Sequence, residues 1–231
     1  MKRSPIKKVI ILVSILAIPG FLFFYLLPHF AKNRYKSLPI FGEKVVASTF
    51  HSVKGKKIPD TIYHKVPDFK LVNQQNDTIT WKALENKIVV LNLFYTGANN
   101  QETSKYIKKL SDGYEQKPLV KFLSLSVDPA DRDKIKDFAA KFKAKEGKWD
   151  FLAGDTVQTY PLIKKGLLLD AIADDTKERT NFIFSNKIVL IDNLHRIRGI
   201  YEADNAEANT RLEDEIKVLI AEYLRNLKDG R

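Results

Sequence analysis

Twenty consecutive residues without a charge, Val9 to Pro28 (VIILVSILAIPGFLFFYLLP), limit what the start of this chain can become. As an α-helix rising about 1.5 Å per residue, they span about 30 Å, the thickness of a bilayer's hydrocarbon core. A cleaved signal segment has a shorter apolar stretch followed by small residues. Here the run continues into the bulky FLFFYLLPHF, and no cysteine is present to carry a lipid. The Pro19-Gly20 pair kinks such a helix without forbidding it, because membrane helices tolerate both residues. The reading over a cleaved signal or a buried core helix is therefore a retained transmembrane anchor at 9–28.

The flanks orient it. Lys2, Arg3, Lys7 and Lys8 precede the span, whereas Lys32, Arg34 and Lys36 follow it. The positive-inside rule then puts residues 1–8 in the cytoplasm and the rest in the periplasm or an equivalent outer compartment. The expected location is the inner (cytoplasmic) membrane, in a single pass. Residues 29–58, broken by Pro39, Gly42 and Gly55 and basic at VKGKK, read as a linker. Residues 59–231 read as the folded domain.

The formal charge of +11 raises a nucleic-acid reading that its distribution does not support. Residues 1–60 hold eleven of the 39 basic and two of the 28 acidic side chains. That leaves 28 against 26 downstream, a net of +2, so composition gives the domain no basic face. No nucleic-acid partner is expected. The absence of cysteine removes thiol redox chemistry, thiolate metal sites and any Cys nucleophile. Met1 is the single methionine, so thioether ligands are missing as well.

From residue 61 onward strands and helices alternate. PDFKLVNQQNDTITW reads as a hairpin turning at Gln75-Asn76-Asp77. KIVVLNLFY and LVKFLSLSVD are nearly all apolar, as strands covered on both faces are. Helical spacing brings Ile107, Leu110 and Tyr114 together, then Ile135, Phe138 and Phe142, then Leu212, Ile216, Leu219, Ile220 and Tyr223. WDFLAG reads as a short strand, and NFIFSNKIVLIDNLHRIRGIYE as a hairpin turning at Asp192-Asn193. The expectation is an α/β fold, a thioredoxin-like sandwich with a mixed central sheet and flanking helices.

In order and spacing these segments resemble the SCO/SenC family, membrane-anchored thioredoxin-like copper chaperones of cytochrome c oxidase assembly. The resemblance rests on DTIYHKVPDFKLVNQQNDTIT, VVLNLFYTG, LSLSVDPADRD, KWDFLAGD, KIVLIDNLHRIRGIYEA and EDEIKVLIAEYL. It implies a Cys-x-x-x-Cys-Pro motif after an aromatic-Thr pair, here Tyr95-Thr96. That puts Ala98 at the first cysteine, Glu102 at the second and Thr103 at the proline. The family's histidine ligand matches Phe184. All three ligands are replaced, and the family's acidic pattern survives as Asp128-Pro129 and Asp133. Copper(I) is soft and selects sulfur and imidazole, which these side chains do not offer.

The remaining polar residues have ordinary readings. Asn99-x-x-Glu102 matches a helix capping box, with Asn99 at N-cap and Glu102 at N3. Asp128, Asp131 and Asp133 lack the glycine and spacing of a calcium loop and read as acids at a helix start. Asp174 to Glu178 reads as a solvated loop. His29, His51, His64 and His195 are scattered, with a His51/His64 surface metal site the one pairing to weigh. There is no nucleophile elbow, Walker loop or dinucleotide fingerprint. The chain is thus expected to be no enzyme, to carry no cofactor or metal, and to bind a membrane or periplasmic protein partner in a role related to oxidase assembly. The alternatives are a copper chaperone with substitute ligands such as His64, and an enzyme or small-molecule binder with an unrecognised pocket.

Overall fold

A computed structural model of the chain describes residues 5–26, 37–53, 55–98, 101–176 and 179–229. Two compact units divide between Lys36 and Ser37. The first contains α1 (Pro5–Phe21), continued by a π-helical turn over Leu22–Leu26, with Pro19 inside the helix. Ile6–Tyr25 is the one stretch, among the described residues, long and apolar enough to cross a membrane, with a mean hydropathy of 2.2. None of it is buried within the chain, which separates it from a core helix. Leu27 and Pro28, the end of the expected span, lie outside the described residues, as does His29.

The second unit is built on a seven-stranded mixed sheet, in the order β11-β10-β5-β6-β7-β3-β4. Its centre is parallel: β5 (Ile88–Phe94), β6 (Val120–Ser126) and β7 (Trp149–Ala153). Every residue of these three strands is buried, as their continuous apolar runs imply. Alternate side chains feed two cores. Ile88, Val90 and Phe94 face one side, where α2 (Glu102–Gly113), α3 (Ile135–Lys141) and α5 (Ala206–Lys228) pack through Ile107, Phe138 and Ile216. Val89, Leu91 and Leu93 face the other, with Trp81, Leu162 and Ile163. There α4 (Thr156–Pro161) continues into a π-helical turn at Leu162–Gly166. This is the expected thioredoxin-like sandwich.

Both turn signals hold. β3 (Leu71–Asn73) and β4 (Thr78–Ile79) pair antiparallel around Asn76, whose φ of 67° uses asparagine's tolerance of the left-handed region. β10 (Lys187–Ile191) and β11 (Ile197–Glu202) turn at Asp192, whose Oδ1 accepts the N–H groups of Leu194 (2.9 Å) and Arg196 (3.0 Å). On the helix side Phe138, Phe142, Trp149 and Phe151 form an aromatic cluster with ring centroids 4.6 to 6.4 Å apart. Such pairs contribute about 0.5–1.5 kcal/mol each beyond area burial.

Two hairpins depart from the sequence reading. β1 (Lys44–Val53) and β2 (Lys56–Tyr63) pair antiparallel, mostly within residues 29–58, the stretch read as linker, and run on into the expected start of the domain. The β-branched residues Val45, Val46, Ile58 and Ile62 favour strands, and Gly55, at φ +80°, supplies the turn. Lysines and Pro59 obscure that pattern. β8 (Ala171–Thr176) and β9 (Arg179–Phe184) pair likewise, so Asp174 and Asp175 belong to a strand rather than a loop. The remainder of that expected loop, residues 177 and 178, lies outside the described residues.

The compact unit begins before the expected domain start, at Ser37, because one buried guanidinium holds it there. Arg198, 1% exposed, donates to Pro39 O (3.2 Å), Leu38 O (2.8 Å) and Ser37 Oγ (3.1 Å). It also donates to Asp192 Oδ2 (3.0 Å) and to both oxygens of Glu222 on α5.

Candidate functional site

Central strand β5 ends at Phe94, and helix α2 starts eight residues later at Glu102. Tyr95 to Ala98 form a turn, with the Ala98 N–H donating to Tyr95 O at 3.1 Å. Tyr95's ring folds back over Gly97, where a Cβ would come within 2.3 Å of its hydroxyl, and packs 5.1 Å from Phe182. From beneath, the carboxylate of fully buried Asp131 holds the turn. It accepts from the Thr96 N–H (2.9 Å), the Thr96 hydroxyl and the Ser126 hydroxyl (2.7 Å), with Lys134 Nζ at 3.7 Å.

Asp131 is therefore the structural keystone among the three acids weighed from the sequence. Asp128 caps a 3-10 turn through the Ala130 N–H (2.8 Å), and Asp133 is exposed. Asp131→Asn turns one acceptor into a donor facing donors. That change is expected to cost about 1–3 kcal/mol, read as a lower urea midpoint at unchanged m-value. An unshifted midpoint would remove Asp131 from this role.

Ala98 and Phe184 come to one place in the fold. They line one small cavity of about 40 Å³ together with Leu93, Tyr95, Ser104 and Phe138. Asn186, in the link from β9 to β10, accepts from the Thr103 hydroxyl at 2.7 Å and ties that link to the first turn of α2. Glu102 does not join them. It is the first residue of α2, its side chain is 70% exposed, and Lys105 Nζ lies 2.6 Å away. Gln101 occupies the N-cap of α2, and its own side chain makes no cap bond. Asn99, the expected cap, lies outside the described residues.

The histidines are held apart by other partners. His51 Nδ1 lies 2.6 Å from Asp60 Oδ1 across the β1–β2 hairpin, and His64 Nε2 lies 2.8 Å from Gly166 O. His195 stacks on Trp81 at 4.1 Å, where burial, with Lys65 nearby, holds its pKa below the ordinary value. No group of three or more His, Asp or Glu residues suited to a metal occurs among the described residues. The larger concave surfaces are open grooves. One lies between α2 and α5 beside Tyr114 and Ile220, and another lies beside Glu102 and is lined by lysines.

The corner thus offers a methyl group, aromatic rings, the hydroxyls of Tyr95, Thr103 and Ser104, and the amides of Gln101 and Asn186. Sulfur and imidazole, the donors copper(I) prefers, are not among them, so the residues present do not fit that metal. Sequence reasoning weighed Asp131 only as part of an acidic patch and did not find Arg198. The small residues Ser126 and Thr96, poised at the ends of neighbouring strands, were the available signal for Asp131.

Comparison with known proteins agrees with this geometry. The model of the SCO1/SenC family matches residues 59–221. No curated protein matches the chain by sequence. A solved SCO1/SenC family lipoprotein from Bacillus anthracis shares 21% identity over 67% of this chain and 95% of its own, with a TM-score of 0.59. Bradyrhizobium japonicum ScoI, solved with copper bound, shares 19% over 65% and 98%, with a TM-score of 0.53. BsSco, described as having a disulfide switch and as a member of the Sco family of cytochrome c oxidase assembly proteins, shares 18% over 67% and 93%, with a TM-score of 0.56. At these identities the likeness is one of fold.

Proposed function

We propose that this chain, which belongs to the SCO1/SenC family, is a non-catalytic, membrane-held binding protein whose role is related to respiratory oxidase assembly. The observation that carries this reading is the corner itself, which holds neither sulfur nor imidazole. Ala98 and Phe184, the positions matched to a cysteine and the histidine of the family, line the same small cavity. The two would stand where a thiolate and an imidazole converge. Glu102, matched to the second cysteine, has a hard oxygen and faces the neighbouring groove. With no cysteine anywhere in the chain, neither thiol–disulfide exchange nor thiolate coordination is available.

What is retained is a shape. The β5–α2 turn stays fixed by Asp131, and the β9–β10 link stays tied to α2 through Asn186. A surface kept in form without reactive groups suits recognition. The helix Ile6–Tyr25, uncharged from Val9 onward and unburied by the chain itself, acts as the anchor. The small excess of basic residues before it supports a cytoplasmic N-terminus and a folded unit on the outer side of the inner membrane.

Two measurements test the proposal. Titration with copper(I) against a strong competing chelator is expected to give no one-to-one complex. Crosslinking in native membranes, followed by capture of the chain, is expected to recover oxidase subunits. A copper(I) complex that survives the chelator would overturn the loss of the metal site. Absence of oxidase subunits from the crosslinked material would overturn the assembly role.

A further inference from the structure

We propose that the lysine-lined groove beside the corner docks a carboxylate-bearing, extended segment of a protein partner. This rests on the partner-binding reading above and gives it a place and a chemistry. The groove has a volume of about 580 Å³ and runs between the start of α2 and the end of α3. Lys105 and Lys108 line it from α2, and Lys141 and Lys143 from the end of α3, against one lining carboxylate, Glu102. Residues 61–231 carry a net charge of only +2, so this is a local concentration that composition does not reveal.

The local geometry explains the concentration. Gln101, Lys105 and Lys108, spaced four and three apart, share one face of α2. Gln101 is the N-cap of α2, so the positive end of the helix dipole lies beside them. Across the groove, Lys141 Nζ donates to Gln101 Oε1 at 2.7 Å and sits 5.9 Å from the centroid of the Phe142 ring. Lys143 ends α3 with φ at 51°, the left-handed conformation that glycine adopts without strain at a helix C-terminus. The Ala144 N–H closes that end on Ala139 O at 3.0 Å. A cation thus occupies a backbone position better suited to glycine.

The spacing of the charges selects the ligand. Phosphate is best held by converging donors, typically an arginine fork or a run of backbone N–H groups. Here four ammonium groups, with Lys108 also paired to Asp112 at 2.6 Å, are spread along the walls of an open groove. That arrangement fits several single charges carried at intervals along a chain, as aspartates or glutamates are in an extended segment. Glu102 already shows the contact: its carboxylate lies 2.6 Å from Lys105 Nζ. Buried Phe142, in the lining, adds an apolar step between the cationic walls.

The test uses the full chain in non-ionic detergent and a fluorescein-labelled peptide of alternating glutamate and serine, followed by anisotropy. The peptide is expected to bind, and to weaken steeply between about 50 and about 200 mM salt. Lys105→Gln, Lys141→Gln and Lys143→Gly together are expected to weaken it about tenfold or more. Lys70→Gln with Lys164→Gln, exposed positions outside the groove, should leave it unchanged. Lys143→Gly relieves backbone strain, so an undiminished urea midpoint of the groove variant excludes unfolding as the cause. Equal weakening by the control pair would overturn the proposal. So would displacement of the peptide by inorganic phosphate, or by phosphatidylglycerol vesicles, at lower concentration than by unlabelled peptide. If crosslinking recovers oxidase subunits equally with wild type and groove variant, the groove is not the docking site, although the partner-binding role stands. If the wild type recovers none, that role falls, and the peptide titration still judges the groove.

Discussion

Ala98→Cys, Glu102→Cys and Phe184→His, introduced together, are expected to turn the β5–α2 corner into a copper(I) site. Positions 98 and 184 already line one cavity although 86 residues separate them in the chain. A thiolate and an imidazole placed there would meet without long-range rearrangement. The thiol at 98 would sit in the turn leading to the positive end of α2, which favours the thiolate form. Glu102 lines the groove next door, so the pair without Glu102→Cys is expected to supply most of the gain, and the third thiolate the rest. Joining two ligands in one site raises affinity by about 10²–10⁴-fold over either alone. The cost is packing, since replacing Phe184 thins the corner by about 1–3 kcal/mol. Chelator competition at fixed copper(I) gives the affinities. A folded triple variant no tighter than its single variants would mean that the three positions do not correspond to the family's ligands.

Arg198→Leu is expected to lower the stability of the folded unit by about 3–5 kcal/mol, because breaking a buried ion pair leaves charge without a partner. A domain of this kind has only about 5–15 kcal/mol in total. Trp81 and Trp149, both buried in the folded unit, report the transition by fluorescence in urea. The loss is unequal for the two acids. Asp192 keeps Arg196, whose Nε lies 2.9 Å away, whereas Glu222 has no second ion pair within 4.0 Å among the described residues. Adding Glu222→Leu should therefore recover a large part of the deficit. Arg198→Lys should recover little, because one ammonium cannot serve acceptors on opposite sides of a planar fork. A loss below about 1 kcal/mol for Arg198→Leu would place the clamp among ordinary surface pairs.

The central sheet was legible because its strands are mostly apolar, and the helices because Ile107, Leu110, Ile135 and Phe138 recur at helical spacing. The corner was legible through resemblance: Tyr95-Thr96 set a frame in which Ala98 and Phe184 were singled out, and the structure brings those two together. Three features could not be read. The β1–β2 hairpin is rich in lysine and contains Pro59, features that read as linker, and it pairs with no strand of the main sheet. Asp131 sits among Asp128 and Asp133, and only the fold decides which of the three turns inward. Arg198 lies in RIRGIYE, where an arginine normally reads as solvated. Its burial depends on residues 37–39, 192 and 222 meeting around it, and local pattern carries no record of that meeting.

The clamp has a mechanical side. Ser37, Leu38 and Pro39 are where the chain enters its folded unit, and all three are fastened to one planar group rooted in β11 and braced against α5. Tension applied upstream of Ser37 is divided among those fastenings, which must fail nearly together because they share a single rigid donor. Phe41, whose N–H is held by Ile197 O at 2.9 Å, stands behind them as a second stop. A protein tethered at its N-terminus is tugged continually by thermal motion. If the apolar helix anchors the chain, as proposed above, a pull arriving through it would meet the clamp before it reached the β5–α2 corner.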